Sequence, residues 1–303
     1  MNRKIVKSSR EVIRHGSKSF SLAARLFDTE TLEAAVLLYR WCRFCDDEID
    51  RSKTGEHLKK LDFLRNQTEA VINGKTSDLE PFQALAFLIK KYDIPPHYPI
   101  ELIKGLQMDV ENQTYQTIDE LKLYCYRVAG VVGLMMAHIM KVSSETALRH
   151  ACDMGMAMQL TNIARDIFAD AEMGRIYLPK VNLKKNQVPF SPKSFSVSVY
   201  HGRLANVTRL ILDEADKLYG SGDQGLEFLS LRAQIAILSA RYIYSDIGRI
   251  VRSRGALAWK ERVYVPTYRK IFWVGLSIAK ILWKNIWLPR FEPVVIKQIW
   301  RHS

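Results

Sequence analysis

The sequence predicts an all-α protein built around one hydrophobic core. Of its 303 residues, 48% are hydrophobic and 25% are charged, which is a globular composition and not a disordered one. Only fifteen glycines and ten prolines occur, and no proline lies in 1–80, 100–178 or 193–265. Long helices are therefore permitted over most of the chain. A strand-rich barrel or sandwich, which needs a turn signal about every 8–12 residues, is excluded.

Apolar periodicity predicts the helices one by one along the chain. They fall at 28–50, 56–73, 79–92, 99–114, 118–140, 144–170, 200–220, 226–253 and 267–287. Prolines at 95–99, 179–192 and 289–293 mark breaks between them. No segment has the Gly/Ser-rich composition of a flexible linker. We therefore expect one main domain over residues 1–266, followed by a distinct C-terminal segment over residues 267–303.

The helix at 28–50 carries a polar face within an apolar sequence. Its members lie at offsets of 0, 4, 7 and 11 residues, which places them on one side of a helix: Tyr39, Arg43, Asp46 and Asp50. Two aspartates one turn apart are costly among apolar residues unless something neutralises them.

The helix at 118–140 contains small residues on closely spaced positions, namely Ala129, Gly130, Gly133 and Ala137. Glycine inside a helix costs about 1 kcal/mol relative to alanine. Such residues indicate either close helix packing or room for a ligand, and the sequence leaves both interpretations open.

The helix at 144–170 repeats the pattern of the first acidic helix. Its polar face sits at offsets of 0, 3, 7 and 11 residues and consists of Gln159, Asn162, Asp166 and Asp170. A single DxxxD pattern on a helix is usually a solvated face. Two such patterns, each accompanied by an amide or arginine, favour a site for Mg²⁺, which prefers carboxylates, water and phosphate oxygens. Arg43 and Arg165 beside the aspartates would suit a diphosphate group.

Other features of the sequence do not indicate a functional site. Cys42 and Cys45 have a CxxC spacing, but no second ligand pair accompanies them, so we interpret them as buried thiols of a reducing compartment. The seven histidines form no metal or triad spacing, and the N-terminus lacks the apolar run of a secretory signal. Residues 1–240 hold a net charge of only +3 of the total +13, which argues against a nucleic-acid binder.

The C-terminal segment is both basic and rich in tryptophan. From residue 241 to residue 303 there are 13 basic and 3 acidic residues, or +10, and five of the six tryptophans lie at 259, 273, 283, 287 and 300. Trp with Lys or Arg is typical of a bilayer interface. Ser277, Lys280 and Lys284 share one side of the predicted helix and leave a broad apolar face. We expect this segment to lie on an anionic membrane without spanning it, the alternative being an ordinary helix packed on the core.

Five motifs carry a resemblance to a known family. They are SFSL at 19–22, DDEID at 46–50, YCYRVAGVVG at 124–133, QLTNIARD at 159–166 and GRIYLP at 174–179. In this order, over about residues 10–265, the sequence resembles the squalene and phytoene synthase family, most of all its bacterial phytoene synthases. It departs from the family between Leu178 and His201, and residues after 265 match nothing of use.

The resemblance implies a single-domain isoprenoid synthase fold, with a central cavity walled by helices, and a set of site residues. The implied Mg²⁺ ligands are Asp46, Asp50, Asp166 and Asp170, assisted by Asn162. The implied substrate contacts are Ser19, Phe20, Tyr39, Arg43, Gln159, Asn162 and Arg165. Tyr124 and Tyr244 match polar cavity residues and join the four aspartates as candidate catalytic groups.

The implied reaction is the head-to-head condensation of two geranylgeranyl diphosphates to phytoene, the first committed step of carotenoid biosynthesis. We expect Mg²⁺ as the cofactor, with Mn²⁺ able to substitute, no requirement for NADPH, and no nucleic-acid partner. We also expect a cytoplasmic monomer, peripheral on the inner face of the membrane. Two alternatives stay open: a squalene or dehydrosqualene synthase that uses farnesyl diphosphate, and a catalytically silent relative that acts as an assembly module.

Overall fold

The computed structural model describes residues 3–52 and 55–287, and in these residues the regular structure is helical. The all-α prediction is confirmed. The α-helices, in chain order, are α1 (Arg3–Gly16), α2 (Lys18–Ala24), α3 (Thr29–Asp50), α4 (His57–Ile72), α5 (Glu80–Tyr92), α6 (His97–Val110), α7 (Ile118–Cys125), α8 (Val131–Ile139), α9 (Glu145–Glu172), α10 (Lys180–Lys185), α11 (Pro192–Phe195), α12 (His201–Gln224), α13 (Leu231–Arg254) and α14 (Thr267–Trp287).

The two acidic helices each have a buried stripe beside their polar face. On α3, Ala34, Leu38, Trp41 and Cys45 are all at most 1% exposed and recur at helical spacing. The Asp28 carboxylate accepts a hydrogen bond from the Thr31 amide at 3.0 Å and so caps the start of α3. Helix α9 packs against α8, α12 and α13 and lies at the centre of the bundle. Both polar faces are therefore held on well-packed helices.

The predicted helix at 118–140 is interrupted. Between α7 and α8, residues Tyr126–Gly130 form a π-helical turn, in which the Val131 amide donates to the Tyr126 carbonyl. Such turns hold one residue more than an α-helical turn and often occur at functional sites. The apolar spacing of a helix with 3.6 residues per turn does not reveal a single inserted residue.

Four helices were not predicted: α1, α2, α10 and α11. The buried stripe of α1 is narrow, with Ile5, Ser9 and Ile13 at 6%, 0% and 3% exposure, and its serine breaks the apolar pattern. Helix α6 ends at Val110 and not at 114, because Asn112 adopts a positive φ of 49°.

Helix α14 matches its predicted range and packs against α13 through one face. That face holds Trp273, Ser277 and Ile281, which are 9%, 0% and 2% exposed. Ser277 therefore points into the protein. Of the tryptophan-rich segment predicted at 267–303, residues 288–303, with Trp300, lie outside the described residues.

Candidate active site

A cavity of about 390 Å³ runs through the middle of the bundle. Eight of the candidate site residues predicted from the sequence line it: Phe20, Tyr39, Arg43, Asp46, Tyr124, Gln159, Asn162 and Tyr244. The remaining wall is almost entirely apolar. The predicted central cavity walled by helices is thus present, with its polar groups supplied mainly by α3 and α9.

One face of α9 gives the cavity its length. The lining positions on this helix recur every three or four residues from Ala147 to Asn162, a rise of roughly 22 Å at about 1.5 Å per residue. Gln159 and Asn162 mark the polar end, where the Asn162 amide donates to the Gln159 side-chain oxygen at 3.3 Å. Asp166 and Asp170 follow one and two turns further along the same helix.

The contact between α9 and the segment 129–133, which forms part of the cavity wall, depends on glycine. A Cβ atom on Gly133 would lie 2.2 Å from the Ala151 carbonyl oxygen, and one on Gly155 would lie 2.3 Å from the Ala129 carbonyl oxygen. Both glycines also line the cavity. The two interpretations left open for this stretch therefore hold together, because close packing of α8 on α9 keeps the wall thin.

The first acidic pair lies at the C-terminal end of α3. Arg43 reaches Asp46 at 3.2 Å and Asp47 at 2.6 Å, and Arg175, from the loop after α9, pairs with Asp50 at 2.8 Å. Burial, followed by repulsion from Asp50, raises the pKa of Asp46 to about 7. The Asp46 side chain retains 45% of its accessible surface, and Asp46 lines the cavity.

The second acidic pair lies on α9. Arg165 donates to Asp166 at 2.9 Å, and Arg262 contacts both carboxylate oxygens of Asp166 at 3.1 Å. Burial would raise the pKa of Asp166, but these two arginines outweigh it and the pKa ends below its ordinary value. For Asp170, burial and the Asp166 charge raise the pKa to about 8, against the weaker effect of Arg175.

Arg175 lies near both acidic pairs, since it pairs with Asp50 and its charge also acts on Asp170. The two pairs are therefore at the same end of the cavity. Among the described residues, no three acidic, histidine or cysteine side chains converge into a preformed metal cage. The donor set nevertheless fits Mg²⁺, which binds through one or two carboxylates plus water and substrate phosphates. Asp46 and Asp170, whose charged forms are disfavoured by burial and by a neighbouring carboxylate, are suited to such a cation.

Two aromatic residues meet near the same end. Phe20 stacks on Tyr39 with ring centroids 5.9 Å apart, and a Cβ on Gly16 would lie 2.3 Å from the Tyr39 hydroxyl. Burial raises the pKa of Tyr39 to about 12, so its hydroxyl stays protonated. Ser19 lies on α2 but is not among the lining residues, and Asp50, Arg165, Asp166 and Asp170 likewise lie outside the lined space, around its polar end.

Tyr124 belongs to a buried group that the sequence did not indicate. Its hydroxyl donates to Asp109 at 2.9 Å, and the Tyr177 hydroxyl donates to the other Asp109 oxygen at 2.7 Å. Asp109 follows Leu102 and Leu106 on the inward face of α6, and that register was the available signal. Arg262 gave no signal, because its contact with Asp166 spans 96 residues of sequence.

The fold and the site define a class of protein: an all-α enzyme with an apolar cavity that ends in paired aspartates and arginines. A family model described as squalene/phytoene synthase matches residues 13–269. The chain belongs to the squalene/phytoene synthase family.

Relatives and solved structures agree with this assignment. The chain is 38% identical to phytoene synthase of Pseudescherichia vulneris, over 86% of this chain and 87% of the relative. It is 38% identical to 15-cis-phytoene synthase of a Paracoccus strain, over 90% of each chain. A crystal structure of a dehydrosqualene synthase with a ligand superposes with a TM-score of 0.83 at 25% identity, over 92% of this chain and 97% of that one.

Proposed function

We propose that this protein is a Mg²⁺-dependent 15-cis-phytoene synthase. It joins two geranylgeranyl diphosphates head to head, through a cyclopropylcarbinyl diphosphate, and so catalyses the first committed step of carotenoid biosynthesis. The observation that carries the proposal is the long apolar cavity with both acidic pairs gathered at one end. The names of the bacterial relatives at 37–38% identity support the C20 substrate and the C40 product.

The polar end would hold the diphosphates. Arg43 and Arg165 would contact phosphate oxygens, and Asn162 and Gln159 would supply amide groups beside them. Mg²⁺, held by Asp46, Asp50, Asp166 and Asp170 with help from Asn162, would neutralise the diphosphate charge and favour its departure. Mn²⁺, which takes similar oxygen ligands, would substitute.

The remainder of the cavity would hold the prenyl chains and protect the carbocation. The α9 lining from Met158 to Ala147 is apolar apart from His150, so water has few partners there. The C2=C3 double bond of one substrate attacks C1 of the ionised partner, and loss of a C1 proton closes the cyclopropane. A second ionisation, rearrangement and loss of a proton give the central triene. Fixed geometry in a dry cavity is the contribution of the protein.

Product analysis tests the proposal. The protein is incubated with C15 and with C20 prenyl diphosphate, with and without NADPH and with Mg²⁺ or EDTA. We expect phytoene from the C20 substrate, in Mg²⁺ and without NADPH. NADPH-dependent squalene, or dehydrosqualene from the C15 substrate with little C40 product, would overturn the choice of substrate.

The alternative function is that of a squalene or dehydrosqualene synthase. It is supported by the similarity to the crystal structure of a dehydrosqualene synthase. A catalytically silent assembly module is the other alternative. The same incubation separates it, because a silent protein releases no diphosphate from either substrate in Mg²⁺. All four aspartates are present in the chain, which favours the enzyme.

We further propose that α14 holds the enzyme on an anionic membrane surface, on the inner face in the cytoplasm, as a monomer. No helix among the described residues is long and apolar enough to cross a membrane. The outward face of α14 is nevertheless apolar, with Tyr268, Ile271 and Phe272 at 71%, 62% and 59% exposure. Single exposed apolar residues are ordinary, but a contiguous face of this kind indicates an interaction surface.

The positive charge of this segment supports an anionic lipid surface as the partner. The segment from residue 241 carries +10, and an anionic leaflet attracts basic residues beside an amphipathic helix. Lys280 is turned back toward the protein, with its Nζ atom 3.1 Å from the Tyr242 hydroxyl. The apolar side of α14, and not its lysine side, would therefore meet the bilayer.

Surface variants test the membrane proposal better than a truncation, because removing α14 would uncover α13. The double variant I271E/F272E is compared with L58E/L123E, which alters two exposed leucines on other helices, at 63% and 47% exposure. We expect wild type and the leucine variant to sediment with anionic liposomes at low salt, and the α14 variant to stay in solution. Equal sedimentation of all three would overturn the proposal, and sedimentation velocity reports the oligomeric state.

A further inference from the structure

Asp109 stands between the central cavity and a second, smaller pocket. The residue is 8% exposed and lines both the 390 Å³ cavity and a pocket of about 90 Å³. The smaller pocket is also lined by Asn112, Gln113, Thr114 and Arg175. Its remaining lining is partly apolar, with Met108, Ile176, Phe190 and Pro192, but the polar side chains and the volume are sufficient for several water molecules. The Asp109 carboxylate thus lies between a mainly apolar cavity and a smaller pocket with several polar groups.

The hydrogen bonds at Asp109 give two tyrosines a fixed orientation. Tyr124 donates to one carboxylate oxygen at 2.9 Å and Tyr177 donates to the other at 2.7 Å. The two rings stack at 4.9 Å, and their hydroxyl oxygens lie 3.1 Å apart. The single hydroxyl hydrogen of Tyr124 can be donated to Asp109 or to the Tyr177 oxygen, and the contact with Asp109 is the shorter one. When Tyr124 donates to Asp109, an oxygen lone pair of Tyr124 is available to accept a proton from the cavity that Tyr124 lines.

The electrostatic surroundings suit a proton acceptor. Burial raises the pKa of Asp109, against the opposing effects of the Arg175 charge and the two hydroxyl hydrogen bonds. Further charged and titratable groups that act on this site are Asp46 and Asp50 from α3, Asp170 from α9, and Tyr115, Tyr124 and Tyr177. Because burial disfavours its charged form, the Asp109 carboxyl takes up a proton more readily than a carboxyl in water.

We propose that Asp109 accepts, through Tyr124, the protons that the condensation releases, and passes them to water in the small pocket. The inference rests on the proposed function. At each proton loss a C1–H bond breaks, and its electron pair forms the new carbon–carbon bond and quenches the cation. The proton goes to the Tyr124 oxygen as the hydroxyl proton of Tyr124 moves to Asp109. Asp109 acts through Tyr124 and is a positioning residue, which Tyr177 holds in place.

The test compares Asp109→Asn, Tyr124→Phe and Tyr177→Phe with Tyr115→Phe. Tyr115 is a matched control, since its buried ring lies 5.8 Å from Tyr124 and 6.2 Å from Tyr177. We measure kcat and KM with geranylgeranyl diphosphate and Mg²⁺, the deuterium isotope effect with substrate labelled at C1, and the melting temperature. The loss of a positioned base lowers turnover by about a hundredfold or more.

For Asp109→Asn and Tyr124→Phe we expect this loss in kcat, a KM within about threefold of wild type, and an isotope effect of about twofold or more, because proton loss becomes rate-limiting. Tyr177→Phe should show a smaller loss of the same kind, and Tyr115→Phe should match wild type. If diphosphate takes the protons, Asp109→Asn behaves like Tyr115→Phe and the inference fails. A folded variant with low kcat but no increased isotope effect also overturns it. An inactive wild type would overturn the proposed function and this inference together.

Discussion

Four aspartates carry the metal interpretation at the scale of single residues. Replacing Asp46, Asp50, Asp166 or Asp170 by asparagine keeps the shape of the side chain and removes one negative ligand. We expect each substitution to lower turnover by at least about a hundredfold. The Mg²⁺ that would bind the diphosphate would lose one of its few carboxylate ligands from the protein. Steady-state kinetics at saturating Mg²⁺ check this. Near wild-type activity in any two of the variants would contradict the metal assignment.

The same residues predict how the stability of the metal-free protein depends on pH. The folded-state pKa values of Asp46 and Asp170, about 7 and about 8, lie above the value near 4 of an unfolded chain. Between these limits the native state binds more protons than the unfolded state. The free energy of unfolding therefore falls as the pH rises from about 5 to about 8.

Urea unfolding in EDTA at several pH values measures this dependence. We expect a shallower fall for Asp170→Asn, and an unchanged fall for Asp78→Asn, which alters an exposed aspartate. Wild-type stability that rises steadily over the range would show that the two carboxylates are not destabilised in the fold.

At the scale of helices, the packing of α8 on α9 predicts a contrast between two glycine substitutions. Gly133→Ala would put a Cβ atom 2.2 Å from a backbone carbonyl oxygen, so α8 and α9 must separate, at about 1–3 kcal/mol. Gly275→Ala on α14 meets nothing within 4 Å, and alanine favours a helix by about 1 kcal/mol.

Thermal unfolding of the two variants therefore should move in opposite directions. Gly133→Ala is expected to lower the melting temperature and to reduce activity, since it also changes the cavity wall. Gly275→Ala is expected to raise the melting temperature slightly and to leave activity unchanged. A neutral Gly133→Ala would mean that the helices can move apart freely.

The length of the α9 face predicts a change in substrate preference. Ala147 is 3% exposed and lines the cavity about 22 Å along the helix from Asn162. Ala147→Phe would shorten the space for the far end of a prenyl chain. We expect kcat/KM for the C20 substrate to fall by about tenfold or more, while the C15 substrate is affected less. Equal loss for both substrates would place the chain ends elsewhere.

The sequence predicted the parts of the site that recur at helical spacing. Asp46 and Asp50, and Asp166 and Asp170, could be placed together because one period governs each helix. The register of α6 could have placed Asp109 on its inward face, but not beside Tyr124 and Tyr177, which lie on other elements. Arg262 could not be placed beside Asp166, because only tertiary structure brings the two together. Helix α1 was not predicted for a related reason. Ser9 interrupts the apolar pattern in the sequence, and its side chain is buried only because α1 packs against the rest of the fold.

At the scale of the whole molecule, ligands are expected to stabilise the fold. Inorganic diphosphate with Mg²⁺ would bind the native state at the polar end, and binding at a hundred times Kd adds about 2.7 kcal/mol to the free energy of unfolding. Differential scanning fluorimetry should show a higher melting temperature with both ligands than with either alone. Asp50→Asn should lose most of this shift. An equal shift in that variant would indicate binding away from the acidic pairs.

The π-helical turn at Tyr126–Gly130 has a consequence for which changes the chain can tolerate. The turn holds one residue more than an α-helical turn, so deleting one residue there would leave an uninterrupted α-helix in which the later side chains of α8 keep their present register. A residue inserted in the α-helical part, between Val131 and Gly133, would instead rotate every later side chain of α8 by about 100°. Gly133 would turn away from the Ala151 carbonyl, and a bulkier neighbour would take its place. The wall is therefore expected to tolerate the loss of one residue at the turn better than the gain of one within α8.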